Sequence, residues 1–173
     1  MKNYLSMILL LFSLLFLTNP VQAKNPAETR VYDEAEVLSD MQLERLEVLA
    51  EEYSDKRELD FLIFTIKDVA QDIEDYMDDF YDNSSPGYNK AHGDVAMLGL
   101  DVTERDIVLL GFGKAKNELD AKRLTVIREE VAPYFSEQNY YDGFEQFIVL
   151  ADEYMNYKPG VNPHNPFYKT SVQ

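Results

Sequence analysis

The amino-acid sequence predicts an α/β domain: a three-layer α/β/α sandwich with a small central mixed sheet that includes one antiparallel hairpin. Two observations carry this prediction. Residues 59–66 form a dense apolar run of strand length, which is typical of a strand buried on both faces. Amphipathic segments with helical spacing precede and follow this run. One sheet covered by helices on both faces buries all of these apolar surfaces.

The first 23 residues have the layout of a secretory signal peptide. Lys2 precedes an apolar run over residues 5–17, and Val21-Gln22-Ala23 places small residues before a cleavage site. The apolar run is shorter than the roughly 20 residues that span a bilayer. We therefore expect cleavage after Ala23 and export to the extracellular space or the cell envelope. The alternative is an uncleaved helix that keeps the protein associated with the membrane.

The composition describes an acidic globular chain. The sequence has 16 Lys and Arg against 32 Asp and Glu, a net charge of −16, which becomes −17 without Lys2. This charge repels nucleic-acid phosphates and attracts cations or basic partners, although solubility alone can also explain it. The absence of cysteine excludes disulfides and favours a bacterial envelope. No other segment is long and apolar enough to cross a membrane, so we expect no transmembrane helix after cleavage.

The first two helices follow from local signals. A polar lead over residues 24–30 precedes a helix that we expect to end near Asp55. Ser39 is a suitable N-cap, and Gln42 three residues later completes the pattern of a capping box. After the buried strand, apolar residues at helical spacing over residues 73–80 predict the second helix. We interpret the aspartates beside this stripe as a solvent-exposed face.

The second half of the chain predicts a hairpin and two more helices. Residues 95–100 and 107–112 are strand-like, and the six residues between them are too short for a crossover helix. We therefore expect these two strands to pair antiparallel. A third helix is predicted to begin after Asp120 and to kink or end at Pro133. The last helix is predicted over residues 141–157.

Five short motifs occur in a fixed order along the chain. They are VYDEAEVLS at residues 31–39, DVAMLGLD at 94–101, GFGKA at 111–115, PYF at 133–135 and YYDGF at 140–144. Together they resemble the TPM domain family over residues 31–157. Residues 158–173 contain three prolines and no periodicity, and we expect them to form an extended tail.

The resemblance implies a three-layer α/β/α domain on the outer side of a membrane. It also implies calcium binding or an accessory role in membrane complexes, and one branch of the family is described as an acid phosphatase. We therefore predict an exported accessory or interaction module that binds a divalent cation and an envelope or membrane protein partner. The alternative is a metal-assisted phosphatase, in which the metal polarises a phosphoryl oxygen and activates water.

Three aspartates beside strand or helix ends are the candidate metal ligands. Asp33 precedes the first helix, Asp94 opens the hairpin, and Asp101 lies within it. Loops at strand ends often carry function, and carboxylates suit calcium or magnesium, with calcium as our preferred ion. We expect the loops of Asp33 and Asp94 to come together around the cation. Each aspartate can instead serve as a turn or capping residue.

No set of catalytic side chains can be assigned from the sequence. The chain has two histidines and lacks the nucleophile, phosphate-loop and paired-histidine motifs of common enzymes. His92 follows the second helix in a loop beside Asp94, where it is either an exposed histidine or an acid–base group. The sequence therefore favours binding over catalysis.

Overall fold

The fold is described from a computed structural model of the protein, which covers residues 29–161 and residue 163. The predicted signal peptide and most of the predicted tail lie outside these residues. The helices and strands are, in order, β1 (Val31–Asp33), α1 (Asp40–Arg57), β2 (Asp60–Ile66), α2 (Ile73–Ser84), β3 (Val95–Asp101), β4 (Asp106–Phe112), α3 (Lys114–Glu118), α4 (Ala121–Ser136) and α5 (Tyr140–Met155).

The four strands form one mixed sheet in the order β1-β2-β3-β4. β1, β2 and β3 are parallel, and β4 runs antiparallel to β3 as the second strand of the predicted hairpin. The sheet therefore has an amino end, where β1 to β3 begin, and a carboxyl end, where they finish. This distinction decides which loops lie together.

Helices cover both faces of the sheet, which confirms the three-layer prediction. One face packs against α1, α4 and α5, and its buried residues include Phe61 and Ile63 of β2. The other face packs against α2, and its buried residues include Leu62 and Phe64. All residues of β2 after Asp60 are buried, because alternate side chains enter opposite cores.

The close fit of α2 to the sheet depends on one glycine. A Cβ atom on Gly99 of β3 would lie 2.2 Å from the sulfur of Met77 and 2.6 Å from Cγ1 of Ile73. Any side chain at this position would push α2 away from β3. The aspartates at positions 72, 75, 79 and 82 are exposed, as predicted for the outer face of α2.

The helix starts largely match the sequence-based prediction. The Gln42 side chain accepts hydrogen bonds from the backbone N–H of Ser39 at 3.0 Å and from its hydroxyl at 2.9 Å. Asp120 caps α4 by accepting from the backbone N–H groups of Lys122 and Arg123. Among the helices within residues 29–161, none combines the length and apolar character that a bilayer span requires.

Several details differ from the prediction, among them the last helix, which spans Tyr140–Met155 rather than residues 141–157. β1 and α3 were not expected, because segments of three and five residues are too short to show a hydrophobic period. α1 continues to Arg57 rather than ending near Asp55. Of the two predicted effects of Pro133, a kink or an end of the helix, the end is excluded, because α4 continues to Ser136. Proline removes the bond to the carbonyl of residue 129, and residue 129 is exposed to solvent.

Candidate functional site

Asp33 lies at the carboxyl end of the sheet and organises the loop between β1 and α1. Its two carboxylate oxygens accept hydrogen bonds from the backbone N–H groups of Val37 at 3.1 Å and Leu38 at 2.9 Å. The hydroxyl of Thr65 in β2 donates to the same carboxylate at 2.5 Å and accepts from the N–H of Ala35 at 3.1 Å. The carboxylate of Asp33 therefore fixes the turn that leads into α1.

Asp101 lies at the same end of the sheet and organises the hairpin turn. Its side chain accepts from the backbone N–H groups of Thr103 at 2.8 Å and Glu104 at 3.0 Å, and the residue is only 4% exposed. Thr103 in turn donates its hydroxyl proton to Asp68 at 3.1 Å and accepts from the N–H of Asp68 at 2.9 Å. One threonine thus links the carboxylates of Asp68 and Asp101.

The strand register separates Asp33 from this pair. Asp33 lies beside Thr65 of β2, whereas Asp101 lies beside Ile66. Because neighbouring residues in a strand face opposite sides of a sheet, Asp101 is on the α2 side and Asp33 is on the α1 side. The carboxylate nearest to Asp101 in the hydrogen-bond network is therefore that of Asp68, which the sequence analysis did not select.

Neutral groups are the partners of these carboxylates. Within residues 29–161, Asp33, Asp68 and Asp101 form no ion pair with a described lysine or arginine; their partners are N–H and O–H groups. The described residues contain no preformed group of three or more histidine or acidic side chains able to hold a metal. Any cation here would have to complete its shell with backbone carbonyls, hydroxyls or water, which calcium accepts.

Asp94 lies at the opposite, amino end of the sheet, so it is not brought together with Asp33 and Asp101. Its carboxylate accepts from the backbone N–H of Lys114 at 2.7 Å and lies 3.3 Å from Nζ of Lys90. The hydrogen bond from the Lys114 backbone, together with Lys90, lowers the pKa of Asp94. This carboxylate already has a cation beside it, and its hydrogen bond with Lys114 joins the start of β3 to the start of α3.

Two further carboxylates at the amino end also have cationic neighbours. Asp152 of α5 lies 2.6 Å from Nε of Arg57 and 2.8 Å from Nζ of Lys56, both in α1. Burial raises the pKa of Asp152, but the hydrogen bonds from Arg57 and Lys56 outweigh it, and the pKa is lowered. Asp60 lies 3.4 Å from Nη2 of Arg30, and burial nevertheless raises its pKa.

A surface cleft of about 640 Å³ opens at the amino end, beside β1 and the loop that follows α2. Tyr32 and Phe80 line its apolar part, and Arg30, Asp60 and Lys90 line its polar part. Burial raises the pKa of Tyr32 to about 12. The cleft lies at the other end of the sheet from Asp68 and Asp101.

His92 contacts a serine but is not arranged as a general base. Its Nε2 atom lies 3.3 Å from the hydroxyl oxygen of Ser85 and 3.2 Å from the backbone carbonyl of Asp82. A carbonyl oxygen can only accept, so in the tautomer with a proton on Nε2 the ring donates to the carbonyl of Asp82 and does not at the same time accept from Ser85. The contacts fasten the loop after α2 and provide no nucleophile.

Thr65, Thr103 and Asp68 were missed by the sequence analysis. Asp68 had a usable signal, since it follows the buried strand β2 by two residues. The two threonines had none, because their roles depend on strand register. Asp94 had the opposite signal: it precedes its strand, whereas Asp33 and Asp101 are the last residues of theirs. Residues before and after parallel strands lie at opposite ends of a sheet.

Comparisons with known proteins agree with this architecture. The family model described as the TPM domain matches residues 31–154. The protein described as "UPF0603 protein YdjH" from Bacillus subtilis (strain 168) is 41% identical over 142 residues, which is 82% of this chain and 54% of that protein. The chain therefore spans about half the length of this curated relative.

Two solved structures share the fold. The N-terminal domain of a protein from P. gingivalis, determined by solution NMR, has a TM-score of 0.64 at 20% sequence identity, over 76% of this chain and 85% of that one. The BA42 protein from the psychrophilic bacterium Bizionia argentinensis has a TM-score of 0.57 at 15% identity, over 68% of this chain and 81% of that one. At these identities the likeness concerns the fold alone.

Proposed function

This chain belongs to the TPM domain family, and from that premise we propose that it is an exported accessory module that binds a divalent cation at the carboxyl end of its sheet. The observation that carries the proposal is the pair Asp68 and Asp101, joined through Thr103 and without a described lysine or arginine partner. Carboxylates without a cation beside them are suitable oxygen ligands for a divalent ion.

The chemistry of this pair favours calcium over magnesium. Calcium accepts six to eight oxygen ligands in flexible geometry, whereas magnesium requires a near-octahedral shell. The oxygen atoms available here come from two carboxylates, the hydroxyl of Thr103 and the carbonyls of two short loops. Such an uneven set suits the larger ion. Asp33, which lies across β2, adds negative charge to the same end of the sheet.

The accessory role rests on the charge of the chain and on its N-terminal sequence. A net charge of −16 attracts basic partners and repels nucleic acid. The sequence of residues 1–23 has the features of an export signal. We therefore propose an envelope or membrane protein with a basic surface as the partner. N-terminal sequencing of the exported protein is expected to begin at Lys24, and an intact Met1 would contradict cleavage.

The cation site is tested by thermal unfolding in about 0.15 M salt, which screens non-specific attraction. We expect calcium to raise the melting temperature more than magnesium does. At a concentration about a hundredfold above the dissociation constant, a bound ion adds about 2.7 kcal/mol to the free energy of unfolding. Asp101→Asn and Asp68→Asn are expected to abolish the difference between the ions.

Asp94→Asn is the matched control, because it removes the same charge from the opposite end of the sheet. This variant is expected to keep the full calcium response. An equal and small response to both ions, unchanged in Asp101→Asn and Asp68→Asn, would contradict the site. The acidic residues would then serve solubility alone.

A turnover assay with the same variants addresses the phosphatase alternative. A cation held by Asp68 and Asp101 would be able to polarise a phosphoryl oxygen and activate water, whereas the binding role that we propose requires only that the cation is held. We expect no calcium- or magnesium-dependent turnover of an aryl phosphate. Turnover that disappears in Asp101→Asn would instead assign hydrolysis to this site.

A further inference from the structure

Arg123 is a buried cation near the start of α4. The residue is 3% exposed, and within residues 29–161 its guanidinium forms no ion pair with a carboxylate. Its Nη1 atom donates instead to the backbone carbonyls of Glu118 at 2.6 Å and Tyr154 at 3.0 Å. Because a buried charge is costly unless it is paired or hydrogen-bonded, the burial of Arg123 depends on the carbonyls around it.

The second terminal nitrogen of Arg123 binds residues 157–161, which follow α5 and which we call the exit segment. Nη2 donates to the backbone carbonyls of Tyr157 at 3.1 Å and Val161 at 2.9 Å, and also to that of Lys158. The Nε–H group is buried and has no hydrogen-bond partner among the described residues. The two terminal nitrogens of one side chain therefore join the ends of α3 and α5 to the exit segment.

The exit segment has few other hydrogen bonds. The N–H groups of Tyr157 and Val161 each donate to a carbonyl three residues earlier, at 3.1 Å. Residues 157–160 are exposed. Asn156, just before the segment, accepts from Arg57 at 2.7 Å. In the described part of the chain, every hydrogen bond that ties residues 157–161 to a distant part of the sequence therefore comes from Arg123.

Arg123 and the exit segment lie at the amino end of the sheet. β4 ends at Phe112, beside the first residue of β3, Val95, so the helices that follow β4 begin at this end. Arg30, which leads into β1, lies at the same end, because β1 to β3 are parallel. The described chain therefore begins and finishes at one end of the sheet.

We propose that Arg123 locks the exit segment to the domain and thereby fixes the point at which the chain leaves it. The lock acts beyond residue 154, where the match to the family model finishes. It holds both ends of the described chain on the side of the sheet opposite Asp68 and Asp101. The consequence that the carboxyl end presents a bound cation away from the chain ends rests on the proposed function. The lock itself does not.

The lock requires an arginine. A guanidinium presents five N–H groups in a rigid planar fork, whereas the ammonium group of lysine is a single compact point of charge. Arg123→Lys keeps the positive charge but provides no fork that reaches carbonyls on both sides. This variant is therefore expected to release the exit segment.

The test is limited proteolysis of the full chain with chymotrypsin, which cuts after aromatic residues. The side chain of Tyr157 is 42% exposed, but Arg123 holds the carbonyl of the bond to be cut. Since proteolysis requires local opening, we expect cleavage after Tyr157 to be at least about tenfold faster in Arg123→Lys than in the wild type. The mass of the fragment identifies this cut among others.

Arg128→Lys is the matched control, because it makes the same substitution at an exposed arginine of the same helix. It is expected to be cut after Tyr157 at the wild-type rate. Equal rates in all three proteins would overturn the proposal. If Arg123→Lys does not fold, a free peptide of residues 151–161 replaces it. The wild type is expected to be cut at least about tenfold more slowly than this peptide, and equal rates would overturn the lock. No cation enters this assay, so its result is independent of the calcium response.

Discussion

The carboxylates at the two ends of the sheet have different kinds of partner. At the amino end, Asp60, Asp94 and Asp152 each lie within 3.4 Å of a lysine or arginine nitrogen. At the carboxyl end, Asp33 and Asp101 accept hydrogen bonds from backbone N–H groups and, at Asp33, from the Thr65 hydroxyl. The first arrangement neutralises charge, and the second holds a carboxylate in place while leaving it negative.

This difference distinguishes carboxylates that cross-link two elements from carboxylates whose charge can still attract a cation. A carboxylate with a cation beside it cross-links two elements, as Asp152 links α5 to α1. A carboxylate held by neutral donors still attracts an external cation, since hydrogen bonds orient it without cancelling its charge. Acidic residues in one small domain can therefore have different roles, and their partners distinguish those roles better than their burial does.

The largest expected effect comes from removing a cross-link at the amino end. Asp152→Ala leaves Arg57 and Lys56 without their carboxylate and is expected to lower the free energy of unfolding by about 3 kcal/mol. Asp101→Ala, at the carboxyl end, is expected to cost about 1.5 kcal/mol, because it removes hydrogen bonds without isolating a cation. Urea unfolding measures both values. A larger loss of unfolding free energy for Asp101→Ala than for Asp152→Ala would contradict this difference between the two ends.

A smaller loss of stability is expected when a side chain is added at position 113, next to Asp94 at the amino end. A Cβ atom at position 113 would lie 2.1 Å from Oδ1 of Asp94, and Gly113 has a φ of +58°. Gly113→Ala is therefore expected to cost about 2 kcal/mol, measured by urea unfolding. Gly160→Ala is the control, because Gly160 also has positive φ, at +84°, but no atom near its Cβ position. Equal losses would mean that backbone strain alone, and not Asp94, explains the result.

Acid is expected to remove the stability that Asp94 and Asp152 contribute at the amino end. The pKa values of Asp94 and Asp152 are lowered in the folded protein. Their contribution to stability is therefore present above the unfolded-state value of about 3.9 and is lost as the pH falls through the folded-state values. This loss is expected to be smaller than that of Asp152→Ala, because a protonated carboxyl retains some hydrogen bonds. The free energy of unfolding, measured in urea, should fall less steeply between pH 7 and pH 3 in Asp94→Asn than in the wild type.

The smallest expected effect concerns the capping residue at the carboxyl end. Ser39 is exposed and its hydroxyl donates to Gln42, while the Gln42 side chain still accepts from the backbone N–H. Ser39→Ala is expected to lower the free energy of unfolding by about 0.5 kcal/mol. A urea midpoint identical to that of the wild type would show that the backbone bond to Gln42 carries the whole cap.

Most of the fold could be predicted from the sequence because its main elements have strong local signals. The run at residues 59–66 corresponds to β2, and the short link after residue 100 required the hairpin that β3 and β4 form. β1 escaped prediction because its three residues are defined by pairing with β2. α3 escaped for a similar reason, since five residues after Gly113 contain a single buried side chain, Ala115.

The candidate site was predictable only in part. Aspartates at strand ends were expected, and Asp33 and Asp101 do end parallel strands. Which carboxylates meet depends on strand direction and on the side of the sheet that each residue faces. Asp94 precedes its strand and therefore lies at the other end, while the link from Asp101 to Asp68 requires the hydroxyl of Thr103. Such a link joins residues more than 30 positions apart and has no local pattern.

The bonds between α1 and α5 also determine when the domain can finish folding. Arg57 and Asp152 are 95 positions apart, and α5 supplies Phe144, Phe147 and Tyr154 to the larger core. In chain order all four strands are complete by residue 112, and α5 follows only at Tyr140–Met155. Contacts between such distant residues slow folding, and an uncovered apolar sheet invites aggregation. The face of the sheet that α5 covers can therefore be buried only after the last helix is in place.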